Sequence, residues 1–391
     1  MTDLHQEAVA AVVAAALDRS TVSGATHKFY RYPARFSPKF VRAVIEAFTA
    51  PGDLVLDPFI GGGTTAVEAL RAGRRCIGTD INELALFVSK VKTTTLTATE
   101  MSFLLSWFDQ FERSLKVSKS AGKHSAWRAK GYFRHLESQE IWRHRNLIEG
   151  ALAQIDQLHS ERMADFVRCV LLRSMQLSLD GRRTVMTVHE VRSKISSHFH
   201  EMIQDIIALN DELEGPARML TPTVIKCNAA ELHKSRNIVD AGPPKLVVTS
   251  PPYPGVHVLY HRWQVKGRRE TAAPYWIANK LDGDGERYYT LGNRHEAELK
   301  TYFENLKGAF SSIAQVSGQD TIVVQMVAFS EPEWQLRKYL EVMEEAGLTE
   351  VSTSLSEDQR IWRNVPHRKW HAEMQTRREG SREVVLFHRK A

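Results

Sequence analysis

A glycine-rich loop between two apolar stretches constrains the fold of this chain more than any other feature. Residues 54–57 are apolar up to the acid Asp57, and the sequence DPFIGGGTT (residues 57–65) leads from them into a helical pattern. A second apolar stretch, residues 75–80, also ends in an acid, Asp80. Strand, loop, helix and strand in this order predict a parallel sheet with right-handed crossovers. In such a doubly wound α/β fold the ligand site lies at the carboxyl ends of the strands.

The region after this unit has a different periodicity. From about residue 98 to residue 219, apolar residues recur three or four positions apart, which predicts a helical insertion. Strand character returns at residues 224–225, 245–249 and 321–327, and at residues 383–388, where we expect an antiparallel C-terminal hairpin. The predicted organisation is a first half-domain (residues 1–97), the helical insertion (98–219) and a second half-domain (220–391).

The composition is that of an ordinary globular protein, with 391 residues of which 43% are hydrophobic and 25% charged. No apolar run approaches the roughly 20 residues that span a bilayer, and the N-terminus lacks the basic region of a signal peptide. We therefore expect a cytoplasmic protein with no membrane role. The formal charge of +6 suits a polyanionic partner. Cys76, Cys169 and Cys227 are widely separated, so no zinc or redox pair is expected.

The loop at residues 57–65 is suited to hold a ligand close to the backbone. It lacks the Gly-Lys-Ser/Thr of a triphosphate-binding loop, and Asp57 would repel phosphate. A carboxylate instead attracts the ammonium and sulfonium groups of S-adenosylmethionine. Asp80 follows about 20 residues later, where an acid accepts hydrogen bonds from ribose hydroxyls, and Asn82 is placed to assist at the adenosine. The alternative role for Asp80 is to cap the next helix.

Four segments resemble motifs of the amino-group DNA methyltransferases, which methylate cytosine N4 or adenine N6. Residues 57–65 and 74–82 (RRCIGTDIN) are similar to motifs I and II, residues 27–38 to motif X, and residues 226–232 to motif III, where Asn228 replaces the usual acid. The resemblance implies a Rossmann-like S-adenosylmethionine-dependent methyltransferase sheet, mostly parallel, with a helical insertion. The implied cofactor contacts are Tyr32, Pro33, Phe36, Ser37, Asp57, Phe59, Gly61, Gly63, Thr64, Asp80, Asn82 and Asn228.

Residues 246–253 (LVVTSPPY) indicate a buried strand that runs into a turn fixed by two prolines. The amino group of cytosine or adenine is a poor nucleophile because its lone pair is delocalised into the ring. Ser250 and the carbonyl of Pro251 are candidate acceptors for its two hydrogens, which would favour a pyramidal nitrogen and in-line attack on a methyl group. Tyr253 would stack on a base flipped out of the duplex. An ordinary proline turn is the alternative. The predicted catalytic residues are Ser250, Pro251, Pro252 and Tyr253.

Within the family that these motifs resemble, SPPY accompanies cytosine-N4 methylation, whereas DPPY and NPPY are typical of adenine-N6 enzymes. Ser250 therefore favours a site-specific cytosine-N4 methyltransferase that acts on double-stranded DNA. We expect a bacterial or archaeal enzyme, either solitary or paired with a cognate restriction endonuclease in a restriction–modification system. The alternatives are an adenine-N6 DNA methyltransferase, an RNA or protein-glutamine methyltransferase, and a DNA-binding module without catalysis.

Two regions are candidates for reading the DNA target. One is the helical insertion, which is rich in Arg, His and Trp, a mixture that suits either a nucleic-acid surface or a solvated helical face. The other comprises the loops at residues 266–295 and 356–381, which hold basic residues suited to phosphates or base edges. The histidine pairs at positions 257/261 and 367/371 lack a zinc-protease glutamate, so no metal is expected. The candidate DNA-binding residues are Arg262, Lys266, Arg268 and Arg269.

Overall fold

A central sheet of eight strands organises the chain in a computed structural model. The strands of this sheet and of a separate hairpin are β1 (Leu54–Asp57), β2 (Arg75–Asp80), β3 (Thr223–Lys226), β4 (Leu246–Thr249), β5 (Trp263–Val265), β6 (Arg269–Thr271), β7 (Ile322–Ala328), β8 (Leu348–Glu350), β9 (Ile361–Asn364) and β10 (Arg382–Lys390). The sheet has the order β3-β2-β1-β4-β7-β10-β8, with β9 paired to β10, and β5 and β6 form a separate hairpin. The structure describes residues 6–18, 20, 24–33, 36–115, 117, 125–254, 262–267, 269–283, 289–293, 295–351, 360–364 and 382–391.

The α-helices surround this sheet and fill the insertion. They are α1 (Gln6–Leu17), α2 (Pro38–Phe48), α3 (Thr64–Arg71), α4 (Glu83–Thr93), α5 (Ala98–Ser114), α6 (Ser125–Ala129), α7 (Trp142–Ile155), α8 (Glu161–Leu179), α9 (Val188–Glu212), α10 (Arg236–Val239), α11 (Ala273–Ala278), α12 (Lys300–Val316) and α13 (Pro332–Glu345). Short 3₁₀ helices cover Ala25–Phe29, Gly215–Met219, Ala229–Lys234 and Ala297–Leu299. Within the described ranges, no helix combines the length and apolarity needed to cross a bilayer.

Two helical layers cover the two faces of the sheet. Successive residues of β1 point to opposite layers, so that Val55 packs with α1, α2 and α3, whereas Leu54 and Leu56 pack with α10, α12 and α13. In β4, Val248 packs with the layer of α1, α2 and α3, and Val247 packs with the layer of α10, α12 and α13. Because both faces are covered, β1 and β4 are buried along their whole length, as expected of central parallel strands.

The helical insertion forms a third core beside the sheet. Helices α5, α7, α8 and α9 pack together and against α4 and residues 25–29. A capping box begins α5, since Thr97 and Glu100 each accept a hydrogen bond from the other's backbone amide. The segment that follows β4 joins this core through Trp263 in β5 and Trp276 in α11, both of which are fully buried. The insertion and the β5–α11 segment therefore share one hydrophobic interior.

The predicted doubly wound sheet is confirmed, including the helical insertion and the antiparallel C-terminal strands. The prediction of a loop over residues 266–295 was wrong in part, because it contains β6 and α11, whose residues 273–278 are all buried. Their order comes from packing against the insertion, a contact that local periodicity does not reveal. In the second predicted loop, residues 361–364 form β9, and residues 365–381 lie outside the described residues.

Helix α4 holds the glycine loop that follows β1. The Ser89 hydroxyl donates to the Gly61 carbonyl at 3.1 Å, and the buried Lys92 ammonium donates to the Gly62 carbonyl at 2.7 Å. Gly63 has a φ of +78°, and a Cβ placed on it would lie 2.7 Å from Oγ and 2.8 Å from Cα of Ser89. Only glycine therefore allows the loop to approach α4 this closely.

We expect Gly63→Ala to destabilise the protein by about 1 to 3 kcal/mol more than Gly52→Ala, because it adds a steric clash to the same backbone strain. Gly52 is the matched control, since its φ is +88° and a Cβ there would have no neighbour within 4 Å. Urea unfolding of the two variants measures the difference. Equal losses of unfolding free energy would show that the approach of the loop to α4 does not require glycine.

Candidate active site

A cavity lies at the carboxyl ends of β1, β2 and β4. Strand β4 lies on the opposite side of β1 from β2, so the chain reverses its direction of sheet growth here. Open α/β sheets bind ligands at such a switch point. The lining residues are Tyr32, Pro33, Phe36, Asp57, Pro58, Phe59, Ile60, Gly61, Gly62, Thr64, Asp80, Ile81, Asn82, Cys227, Asn228, Ala229, Ala230, Ser250, Pro251, Pro252, Tyr253, Tyr289, Thr290, Leu291 and Asn305.

Asp57 lines this cavity and joins three elements. Its Oδ1 accepts from the Phe59 amide at 3.1 Å and from the Thr249 hydroxyl at 2.9 Å, and its Oδ2 accepts from the Thr65 hydroxyl at 2.6 Å. The residue is only 1% exposed, and burial raises the pKa of the carboxyl to about 6 despite these hydrogen bonds. Asp57 therefore acts on the cavity through its charge while its oxygens hold β1, β4 and the start of α3 together.

Asp80, at the end of β2, faces the glycine loop. Its two oxygens accept from the amides of Gly61 at 3.0 Å and Asn82 at 2.9 Å. Burial raises the pKa of this carboxyl as well, to about 6. The helix cap belongs to Asn82, whose side chain accepts from the Leu84 amide at 2.9 Å. The capping alternative for Asp80 is thus taken by its neighbour, and Asp80 lines the cavity.

The charge of the cavity discriminates between ligands. Its described lining contains two carboxylates, Asp57 and Asp80, and no Lys, Arg or His. Phosphate groups would find no cation among these residues, whereas the sulfonium and ammonium of S-adenosylmethionine would be attracted. The glycines beside Asp80 let a nucleoside approach the backbone. The residues present therefore fit S-adenosylmethionine, with Asp80 available to its ribose.

Three aromatic hydroxyls fix the side of the cavity next to α4. The amide of Asn82 donates to the Tyr32 hydroxyl at 3.1 Å and accepts from the Tyr275 hydroxyl at 3.0 Å. The Tyr275 hydroxyl also lies 3.2 Å from the hydroxyl of Tyr289, which lines the cavity. The Asn82 amide is thus engaged by the protein, and it links the cavity wall to α11 in the insertion core.

The structure brings most of the predicted cofactor residues to one cavity. Ten of them line it, including Asn228. Ser37 and Gly63 are not among the lining residues. Ser37 occupies the N-cap position of α2, and Gly63 is turned against Ser89.

All four residues of the predicted catalytic turn line the same cavity. The Pro252 carbonyl accepts from the Tyr302 hydroxyl at 2.8 Å, which fixes the turn against α12. The Pro251 carbonyl accepts no hydrogen bond from the part of the chain that the structure describes. It remains a candidate acceptor for a substrate amino group.

Glu383 completes the turn and was missed at the sequence level. The Tyr253 hydroxyl donates to Oε1 of Glu383 at 2.9 Å and lies 3.0 Å from Oγ of Ser250. Arg363 donates from Nε to the other Glu383 oxygen at 2.7 Å. Glu383 lies 130 residues after Tyr253, on β10, so no local pattern could have connected them. Other cavity residues that sequence reasoning missed, Tyr289, Thr290, Leu291 and Asn305, belong to no recognised motif.

The four predicted DNA-binding residues differ in their surroundings. Arg262 pairs with Asp282 at 2.8 Å, and Lys266 pairs with Glu140, so both cations are engaged within the protein. Arg269 is exposed. Arg268 lies outside the described residues, as do both histidine pairs. Among the residues that are described, no group of three or more His, Cys, Asp and Glu side chains could hold a metal ion.

The sheet order and the lining of the cavity fit S-adenosylmethionine as a ligand. Residues 16–90 match the sequence model of the N6_N4_Mtase DNA methylase family. The type II methyltransferase M.MvaI of Kocuria varians is 32% identical over 102 residues, which are 25% of this chain and 22% of that protein. The type II methyltransferase M.MjaII of Methanocaldococcus jannaschii is 28% identical over 96 residues, 25% of this chain and 18% of that protein. The DNA adenine methyltransferase YhdJ of Escherichia coli is 38% identical over 55 residues, 14% of this chain and 19% of that protein.

Residues 16–90 therefore resemble a DNA methylase family. The matches lie in a limited part of the molecule, and they span only about a fifth of the length of the curated relatives.

We expect affinity for S-adenosylmethionine to fall as the pH falls through 6. The raised pKa values of Asp57 and Asp80, each about 6, leave both groups mostly ionised at pH 7 and mostly protonated at pH 5. Loss of these two attractive charges in that interval predicts a dissociation constant at least about tenfold higher at pH 5 than at pH 7, measurable by calorimetry. Asp80→Asn should lower the affinity at pH 7 and flatten the pH dependence. A wild-type dissociation constant that does not change between pH 7 and 5 would contradict this electrostatic role.

Proposed function

We propose that the protein transfers a methyl group from S-adenosylmethionine to the exocyclic N4 amino group of a flipped-out cytosine in double-stranded DNA. The observation that carries this proposal is the position of the SPPY turn. Ser250 and Tyr253 line the same cavity as Asp57 and Asp80. A cofactor with its ribose at Asp80 would therefore share one enclosed space with a base at the turn.

The residues of the turn would act by orienting the amino group. The two amino hydrogens would donate to Ser250 Oγ and to the Pro251 carbonyl, which directs the nitrogen lone pair along the line of attack. The bound cofactor supplies an electrophilic methyl group on its sulfonium. The nitrogen lone pair forms the new N–C bond as the S–C bond breaks, and the nitrogen then loses one proton to solvent. The half-buried Tyr253 would stack on the base.

The choice of cytosine rests on Ser250. A serine at the first position of the motif is typical of cytosine-N4 enzymes in the family that the sequence resembles. The relatives include a DNA adenine methyltransferase, so the base is decided by experiment. Because two relatives are type II methyltransferases, we also propose that the enzyme serves in restriction–modification, with a cognate endonuclease as its functional partner.

We propose further that the helical insertion and the β5–β6 hairpin read DNA as one surface. The Gly181 amide donates to the Gln264 carbonyl at 2.8 Å, and the Gln264 amide donates to Asp180 at 2.9 Å. The indole of Trp263 donates to the Tyr30 hydroxyl at 3.0 Å. These bonds join the turn after α8 to the hairpin, so the two candidate regions meet beside the cavity wall at residue 32.

A strip of exposed cations crosses this composite surface. Arg31 precedes the cavity residue Tyr32, and Arg182 forms a β-bridge with Val265 in the hairpin. At the far end, Arg269 and Arg134 lie close enough to lower the pKa of His135, after the larger effect of burial. We call Arg31, Arg182, Arg183, Arg269 and Arg134 the basic strip. None of its members forms an ion pair with a residue that the structure describes, as expected for cations that meet phosphates.

Mass spectrometry of nucleosides from duplex DNA incubated with the protein and S-adenosylmethionine is expected to find N4-methylcytosine. Ser250→Ala should lower the methylation rate about 100-fold, because one fixed acceptor for the amino group is lost, while cofactor affinity is kept. N6-methyladenine as the sole product would overturn the choice of base. Full activity of Ser250→Ala would refute the catalytic turn.

Arg182→Ala combined with Arg183→Ala should weaken DNA binding and lower the slope of log affinity against log salt by about 1 to 2, since phosphate contacts release counterions. Binding of S-adenosylmethionine should be unchanged. Arg236→Ala is the matched control, because Arg236 is an exposed arginine on α10, in the helical layer formed by α10, α12 and α13. An unchanged salt slope in the double variant, or an equal loss in Arg236→Ala, would contradict the proposed DNA surface.

A further inference from the structure

Glu383 occupies a rigid position behind the catalytic turn. It pairs with Ala328 of β7 on one side and with Arg363 of β9 on the other, so its backbone is fixed from both edges of β10. The residue is 5% exposed. Its carboxylate receives the Tyr253 hydroxyl at 2.9 Å and the Arg363 guanidinium at 2.7 Å. The buried Glu383 carboxylate is thus connected by hydrogen bonds to Tyr253 and, through it, to Ser250.

Arg363, Glu383, Tyr253 and Ser250 form a series of hydrogen bonds, and the available donors determine the direction of each bond. A guanidinium can only donate, and a carboxylate can only accept, so Tyr253 must use its one proton on Glu383. The Tyr253 oxygen is then an acceptor for Ser250, which lies 3.0 Å away. Ser250 in turn uses its one proton on Tyr253. The lone pairs of Ser250 are left for another donor.

We propose that Glu383 is a positioning residue that makes Ser250 a hydrogen-bond acceptor towards the target amino group. The inference rests on the proposed function, because the amino group is the donor that Ser250 would meet. Without a fixed direction, the Ser250 proton could point at the amino nitrogen and oppose the amino hydrogens. The acid acts through Tyr253 and does not touch the base. Charge-assisted bonds of this kind are stronger than neutral ones, so the direction is firmly held.

Glu383→Gln tests the direction with little change in shape. Arg363 offers only donors, so it should attract the amide oxygen of the new glutamine and turn the amide NH₂ towards Tyr253. Tyr253 would then accept from the glutamine and donate to Ser250, which reverses the chain. We expect the turnover rate to fall about 10- to 100-fold, while the dissociation constant for S-adenosylmethionine changes less than twofold.

Two second substitutions separate this role from a structural one. Tyr253→Phe removes the link, so adding Glu383→Gln to it should cause no further loss of turnover. Arg363→Met removes the guanidinium, so the amide in the Glu383→Gln background can rotate and accept from Tyr253 again. The Glu383→Gln/Arg363→Met enzyme should therefore be at least about threefold faster than Glu383→Gln alone. If Glu383→Gln slowed turnover only by loosening the packing, removing the Arg363 guanidinium as well would not restore the rate.

The outcomes distinguish the positioning role of Glu383, called the relay because it acts through Tyr253 on Ser250, from the methyltransferase assignment. Independent, multiplicative losses for Tyr253→Phe and Glu383→Gln, or a slower double variant with Arg363→Met, in an active wild-type background would overturn the role of Glu383 alone. A wild-type protein that binds S-adenosylmethionine but methylates no nucleic acid would contradict the proposed function and the relay together.

Discussion

The hydrogen bonds of one buried carboxylate hold the active site together. Asp57 accepts from Phe59 at the start of the glycine loop, from Thr65 in α3 and from Thr249 at the end of β4. An unpaired carboxylate at 1% exposure would be costly, and these donors offset part of that cost. The glycine loop and the strand that carries the proposed catalytic turn are therefore held by the same carboxylate. Since Ser250 follows Thr249 directly, this anchor also fixes the start of the proposed catalytic turn relative to the glycine loop.

The sheet extends this arrangement to residues far apart in sequence. Strand β10 runs antiparallel to β7 and brings Glu383 to the carboxyl edge, where it meets Tyr253. On the other side, α11 sends Tyr275 from the insertion core to Asn82. The catalytic turn and the cavity wall thus each have a polar link to an outer element of the fold. In this way the regions proposed to bind DNA are connected to the cofactor cavity by side chains that are already ordered.

The sequence was sufficient to place candidate site residues that follow a strand directly. Asp57, Asp80 and Ser250 each follow an apolar strand directly, so a strand prediction and the parallel topology place them at one edge. It was insufficient where a contact depends on tertiary packing. In the sequence, Glu383 is an ordinary strand residue. Nothing in the sequence indicates that Arg262 forms an ion pair with Asp282. The burial of Trp276 in α11 likewise depends on the insertion, which local propensity does not describe.

A crystal structure with a non-reactive analogue of S-adenosylmethionine and a target duplex tests the central claim most directly. The account predicts the ribose hydroxyls at Asp80 and the position of the transferable methyl group facing the Ser250 turn, with the target amino nitrogen about 3 to 3.5 Å from it. A ligand bound with its adenosine at the turn, or outside the cavity between Asp80 and Ser250, would contradict the account.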